Sequence, residues 1–375
     1  MHKKAFGFAN KEWNIPNTIE TKFRIGSNTK QFTAAAILGL AEQGALGLDD
    51  MLIKFFPGYP KGDSVTIKML LNHTSGIRNI GSGTGFNSVL TLPLSKDSMV
   101  SLFKNASYEF TPGTRWSYNN SAYFLLGYIV EKISGKTFRS YLQESVLSIA
   151  GMINSGMNNL DSVLKYRAMG YQKTRSGWKN AGYISMEIPF SAGAMYSTAE
   201  DMYRWNKALY GGKIISTEKL HQMLTPTLNH YGYGLRIDSF HNHKRIGHSG
   251  NIPGFASHNV WFPENELCVI LLSNNEADVS AIAEDLEGII FQTPKVAIDT
   301  LLLDAFAGTY RSSGNTRFIF SRKGYSLRFM EGEVPVDLYP VSSISFVYGF
   351  ARRRYFTFVK GDGCLLYTSP SPRDS

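Results

Sequence analysis

At Tyr231 the spacing of apolar residues changes period, and that change constrains the fold more than any other feature of the chain. Upstream, apolar positions recur at three and four residues. Gln31 to Leu40 does so, with Ala34, Ala35 and Ala36 as strong helix formers and Gly44 as a stop. Ser121 to Ile133 and Phe138 to Ile149 read as further helices. Ser197-Thr198-Ala199-Glu200 has the form of a capping box for a helix through Tyr210, which Gly211-Gly212 end. Downstream the period is two. Gly234 to Ile237, Lys244 to His248, Ala256 to Phe262 and Leu267 to Ser273 read as strands, the last two joined by the turn Pro263-Glu264-Asn265-Glu266. Ala277 to Phe291 is helical again. Helices in the middle and antiparallel strands later, without repeated strand–helix alternation, predict an α+β architecture.

Around Thr293 to Leu303 the texture shifts, and from Phe306 only short aromatic strands follow. These are Gly308 to Tyr310, Arg317 to Phe320, Tyr325 to Met330, Phe346 to Phe350 and Tyr355 to Val359. They predict the beginning of a small β domain. Residues 364–374 read Cys-Leu-Leu-Tyr-Thr-Ser-Pro-Ser-Pro-Arg-Asp, a string that looks like a translated sequencing adaptor. The expected organisation is a main domain over 1–295, a truncated β domain over 303–363 and a scar over 364–375.

Composition excludes several classes. Apolar residues make up 43% of the 375 and charged ones 18%, which supplies a core and rules out disorder. The uncharged apolar runs, such as Tyr123 to Val130, fall far short of the ~20 residues that a membrane-spanning helix needs. No signal peptide is visible at Met1-His2-Lys3-Lys4. Lys and Arg number 39 against 30 acidic residues, a net charge of +9 that is spread along the chain. Its run Arg352-Arg353-Arg354 reads as a solvated strand face, so nucleic-acid binding would rest on charge alone and is not expected. Cys268 and Cys364 give neither a disulfide framework nor a metal spacing.

Three short patterns carry chemistry. In Ser27-Asn28-Thr29-Lys30 a helical spacing of three brings the ammonium onto the face of the hydroxyl. A serine hydroxyl needs a base to become a nucleophile, and a desolvated lysine can be that base. The pattern recurs at Ser101/Lys104, Ser162/Lys165, Ser176/Lys179 and Ser216/Lys219, so alone it selects nothing. Context selects Ser27, which lies between Phe23-Arg24-Ile25-Gly26 and a long, almost uncharged helix. Tyr118-Asn119-Asn120 is the sole Tyr-x-Asn, and it precedes a helix that Asn120 is placed to cap. The bland reading of that tripeptide is a cap beside a half-buried tyrosine. The functional one aims the Tyr118 hydroxyl at the Ser/Lys pair and the Asn120 amide at a substrate carbonyl. His248-Ser249-Gly250 ends a strand, where a small residue and then glycine let a substrate backbone pair along the edge. Its bland reading is a histidine packed at a strand end.

Other patterns fail. Gly247-His248-Ser249-Gly250-Asn251 lacks the last glycine of a nucleophile elbow, and no strand-then-helix unit surrounds it. His241-Asn242-His243 has no third metal ligand nearby and reads as a hairpin loop. Gly81-Ser82-Gly83-Thr84-Gly85 lacks the Lys-Ser/Thr of a phosphate loop.

In order, the three patterns resemble the serine β-lactamase and penicillin-binding-protein family, whose signatures are Ser-x-x-Lys, Tyr-x-Asn and Lys/His-Thr/Ser-Gly. The resemblance extends to Phe23 through Ala35, Leu70-Leu71-Asn72-His73-Thr74-Ser75-Gly76, Ser191 through Thr198 and Gly247 through Phe255, over roughly residues 5–292. Within the family it is nearest to class C-like enzymes and their D,D-peptidase and esterase relatives. It implies an antiparallel sheet flanked by helices, with a helical subdomain. Ser27 would be the acylated nucleophile, Lys30 its proton partner, and Tyr118 the general base or relay. Asn120, His248, Ser249 and Gly250 would bind substrate, and the backbone N–H groups of Ser27 and Asn251 would form the oxyanion hole. No metal or cofactor is implied. The expected activity is hydrolysis of a D-amino-acid peptide or amide, a small ester or a β-lactam; a true β-lactamase and a catalytically silent binding protein are the alternatives. Oligomeric state stays open, and export to the periplasm or exterior is implied, since cell-wall substrates lie outside the cytoplasm.

Two departures from the family pattern carry expectations. His248 replaces a lysine and is mostly neutral at pH 7, which places peptidase or esterase activity above antibiotic hydrolysis. The chain opens in what reads as the family's second strand, Lys3 to Ala9, so part of the sheet and any signal peptide are expected to lie outside this sequence. The C-terminal β region resembles a lipocalin-like appendage of some relatives.

Overall fold

The computed structural model of the protein describes residues 2–81, 86–159, 162–174, 176–291, 298–311, 317–324, 326–331, 334–340, 342–348, 355–361 and 364–368. The chain divides into two compact units, residues 1–279 and 280–375.

The first unit is built on the helix Thr29–Glu42, whose residues Thr29 to Leu38 are all buried. A helix apolar on every side belongs in the middle of a core, and its low polarity leaves Lys30 as a buried charge-bearing side chain. A 3₁₀ turn, Gly26–Asn28, leads into it. Gly26 has φ +51°, and a Cβ there would lie 2.8 Å from the Asn251 amide nitrogen, so two backbones meet where only glycine fits. The helix ends as the sequence predicts, with Gly44 at φ +71° and its N–H on the Ala41 carbonyl.

The helix Asn120–Ser134 packs beside it, also largely buried, and Gly135 closes it. Its N-cap is Asn119 and not Asn120: the Asn119 side-chain oxygen accepts from the Ala122 N–H at 2.8 Å. That one-residue correction frees Asn120 for the site. The helix Ala199–Tyr210 is likewise capped one residue later than the sequence suggested, Thr198 accepting from the Asp201 N–H. The stretch from Phe138 is an α-helix only to Leu142 and then continues as a π-helical turn, Gln143–Leu147.

Four antiparallel strands form the main sheet in the order Leu267–Ser273, Phe255–Phe262, His243–Ile252, Arg236–Phe240. All of Phe255–Phe262 is buried, including Ser257, His258 and Asn259, because both of its faces are covered. Its register on His243–Ile252 sets His248 opposite Asn259 and Gly250 opposite Ser257. His241 and Asn242, both with φ > 0, make the two-residue hairpin turn, and no metal-binding cluster occurs among the described residues. The N-terminal strand is shorter than expected and lies apart from this sheet: Phe8–Asn10 pairs with Ile15–Pro16. Gly81 lies at the edge of the described residues, and 82–85 fall outside them.

The second unit contains the helices Val279–Ile290 and Thr300–Phe306, the latter capped by Asp299. Among the described residues its seven strands form one antiparallel meander in chain order, from Gly308–Arg311 to Cys364–Thr368, around Leu303, Phe306, Phe320, Phe329, Phe346 and Phe358. The sequence reading missed the strand Val334–Pro340. Arg352 to Arg354 fall outside the described residues.

Candidate active site

The three sequence patterns meet at one place. Ser27 sits in the 3₁₀ turn at the mouth of the buried helix, half-exposed, and Lys30 is fully buried one turn on. Lys30 Nζ lies 3.2 Å from Ser27 Oγ, 2.8 Å from Asn120 Oδ1 and 2.9 Å from the Ala192 carbonyl. It also lies 4.6 Å from the centroid of the Tyr118 ring. None of its hydrogen-bond partners is a carboxylate, and burial holds the ammonium well below the ordinary lysine range.

Hydrogen-bond accounting agrees with an uncharged amine. Asn120 Oδ1 and the Ala192 carbonyl can only accept, so they take the two N–H groups of a neutral amine. The third contact, with the Ser27 hydroxyl, is a donation from an ammonium or, once the amine is neutral, a lone pair to which that hydroxyl donates. Asn120 Oδ1 is thereby used, and the Asn120 backbone N–H is fixed by Asn79 Oδ1 at 2.8 Å. What Asn120 has left to offer a ligand is its NH₂ group.

Tyr118 is half-buried beside them, its hydroxyl buried and turned toward Ser27 without a hydrogen bond of normal geometry. Burial raises its pKa above the ordinary tyrosine value, and the nearby Ser27 hydroxyl only partly opposes that. The phenol therefore stays protonated across the neutral range.

His243–Ile252 forms the facing wall. A Cβ at Gly250 would lie 2.0 Å from the Ile25 carbonyl oxygen and 2.9 Å from the Ser27 amide nitrogen, so this glycine lets the strand press against the turn that carries Ser27. Asn251 follows directly, its backbone against Gly26. Ser257, one strand further in, ties the two walls together: it donates to the Ile25 carbonyl and accepts from Asn28 Nδ2. Ser249 is exposed.

Both ring nitrogens of His248 are occupied. Nδ1 meets the Ser249 carbonyl and so donates, and Nε2, 2.9 Å from Tyr231 Oη, accepts from that hydroxyl. Burial pushes its pKa down, so the ring is neutral. Arg236, a cation whose field it feels, is paired with Asp238.

All the residues that the sequence singled out thus converge: Ser27, Lys30, Tyr118, Asn120, His248, Ser249, Gly250 and Asn251. Two neighbours escaped the sequence reading as site residues. Tyr231 holds His248 and stands at the change of hydrophobic period, with no local signal of its own. His73 packs against Tyr118 and Tyr231, ring centroids 4.6 Å from each, and its loop was legible only as part of a resemblance.

The chain is similar to known proteins in sequence and in fold. The family model described as Beta-lactamase matches residues 1–290. A Bacillus subtilis protein named as a penicillin-binding protein, PbpX, is 32% identical over 274 residues, covering 72% of this chain. The chain spans about two thirds of that relative, 66% of its length. The octameric penicillin-binding protein homologue of Pyrococcus abyssi superposes with a TM-score of 0.73 at 26% identity, over 98% of this chain and 88% of its own. A D-stereospecific amidohydrolase from Streptomyces gives a TM-score of 0.66 at 25% identity, over 73% of this chain and 88% of its own.

Proposed function

Because the chain belongs to the beta-lactamase family, we propose that it is a serine hydrolase that forms an acyl-enzyme on Ser27, with a D-amino-acid amide, peptide or small ester as acyl donor. The observation that carries this reading is the set of contacts around Lys30: two pure acceptors and one hydroxyl, with no carboxylate among them. A buried, neutral lysine so arranged takes the Ser27 proton as Oγ attacks the substrate carbonyl. The backbone N–H groups of Ser27 and Asn251 then face the developing oxyanion. The proton returns to the leaving amine or alcohol, with the Tyr118 phenol as relay. Water next attacks the acyl carbon and loses its proton to the same Lys30–Tyr118 pair, which passes it to Ser27 Oγ as the acyl C–Oγ bond breaks, releasing the acid and free Ser27.

His248 supports an uncharged acyl donor over one that ends in a carboxylate, since neither ring nitrogen is free and the ring is neutral. The D-configuration is taken over from the Streptomyces amidohydrolase that this fold resembles. The proposed hydrolase domain spans 1–295 and the small β domain 303–363. Export is proposed on the likeness to penicillin-binding proteins; among the described residues no helix is long and apolar enough to cross a membrane.

Intact-mass spectrometry after incubation with an activated ester and, separately, a penicillin tests the proposal, with Ser27→Ala as control. Ester consumption or a stable adduct on the wild type alone is the expected result. Equal consumption by Ser27→Ala overturns the nucleophile. Rapid loss of penicillin would make the chain a β-lactamase, and inertness to both would make it a silent binding protein.

A further inference from the structure

His73 is fully buried and has φ +63°, a left-handed backbone that histidine, like asparagine and aspartate, adopts more readily than other side chains. Its carbonyl accepts the Ser117 N–H at 3.0 Å, and its ring Nδ1 accepts the Asn119 N–H at 3.1 Å. Those two amides flank Tyr118 on either side. The imidazole also packs on the Tyr118 ring, centroids 4.6 Å apart, in a box completed by Trp116, Tyr123 and Tyr231. One residue therefore grips Tyr118 by the amide before it, the amide after it and the face of its ring.

Packing alone does not account for a histidine here. Because Nδ1 accepts, the ring proton sits on Nε2, which is buried and has no hydrogen-bond partner among the described residues. A buried donor without a partner destabilises, and the ring bears that cost while supplying the acceptor that an apolar ring of similar size would deny to the Asn119 N–H. The orphaned N–H is a local penalty on a residue that touches the site, a pattern that belongs to positioning devices.

We infer that His73 is the positioning residue of Tyr118, holding the phenol over Lys30 and toward Ser27 through the Asn119 amide and ring contact. This rests on the function proposed above.

The test uses the full chain and a chromogenic D-alanine anilide, comparing His73→Ala, His73→Asn and His73→Phe. Asparagine tolerates φ > 0 and places Oδ1 where Nδ1 stood, whereas phenylalanine keeps a ring and loses the acceptor. A misplaced relay is expected to lower kcat about tenfold to a hundredfold in His73→Ala and His73→Phe, with KM nearly unchanged. His73→Asn is expected to recover most of that loss. In a Tyr118→Phe background, His73→Ala is expected to cost little more, because its effect runs through the phenol. Thermal unfolding establishes that each variant is folded, and His73→Phe carries the test if His73→Ala is not. A folded His73→Ala with wild-type kcat, an asparagine variant no better than alanine, or a full-size loss in the Tyr118→Phe background each overturns the assignment and leaves the hydrolase reading standing. A wild type without Ser27-dependent turnover overturns both.

Discussion

The two walls of the cleft handle their polar groups in opposite ways. On the helix wall, accounting for the neutral Lys30 leaves one lone pair unspent, and it faces the Ser27 hydroxyl. On the strand wall, accounting for His248 leaves nothing, since Tyr231 and the Ser249 carbonyl take both nitrogens. The first wall is arranged for proton transfer. The second offers backbone, the exposed Ser249 and a neutral ring, which is an arrangement for recognition. Burial is common to both, so burial alone does not mark the reacting group. The unspent valence does.

The largest test of that contrast is Lys30→Met, which keeps the length of the side chain and removes the lone pair. A drop in kcat/KM of about 10²- to 10⁴-fold is expected with the anilide, the range of general acid–base catalysis. Wild-type activity should also fall as pH drops through the lowered Lys30 pKa, because protonation fills the lone pair. Stability follows the same sign. The unfolded chain binds a proton at Lys30 that the folded chain does not, so folding gains stability as pH rises toward the ordinary lysine value and loses it as pH falls. The melting temperature of the wild type relative to Lys30→Met should therefore rise between pH 7 and pH 9. A flat difference would mean that Lys30 is charged in the fold and that the accounting on the helix wall is wrong.

What was legible in the chain follows the same division. Ser27, Lys30, Tyr118 and Asn120 could be read because their chemistry is local: each pattern fixes a spacing on one turn or at one helix start. The strands from Ala256 to Ser273 were readable because alternation and a proline turn are local as well. The two caps were misplaced by one residue, since Asn119 and Asn120, or Ser197 and Thr198, offer the same chemistry and only the backbone chooses. Lys3 to Ala9 looked like sheet by pattern, yet only Phe8–Asn10 finds a partner strand, and pairing is a tertiary fact. His73 and Tyr231 act on residues 46 and 17 positions away, a distance at which no spacing rule speaks.

On the strand wall the decisive change is His248→Lys. It replaces a neutral, fully engaged ring with a cation free to meet a carboxylate. The ratio of kcat/KM for a D-alanyl dipeptide over its C-terminal amide should rise about tenfold, the scale of one hydrogen bond to a charged group. Turnover of the uncharged anilide should change far less. A variant that lost both substrates equally would place His248 in the chemistry and erase the division between the walls.

Tyr231→Phe is the finest probe, because it removes a single hydroxyl and keeps the ring against His73. His248 Nε2 then loses the donor that favours its neutral form, and its pKa should rise toward the ordinary histidine value. Above pH 7 the ring stays neutral with a free acceptor, so discrimination between dipeptide and amide should hardly move. Below pH 6 a fraction of the variant should carry a positive charge that the wild type lacks, and its preference should shift toward the dipeptide by less than the roughly tenfold effect of a hydrogen bond to a fully charged group. Stability should respond with it: a depressed histidine pKa contributes stability that is present above the unfolded value and lost as pH falls, so the variant should lose less on acidification than the wild type. Identical pH profiles for selectivity and melting would mean that Tyr231 does not set the state of His248, and that burial by the surrounding rings is enough to keep this wall neutral.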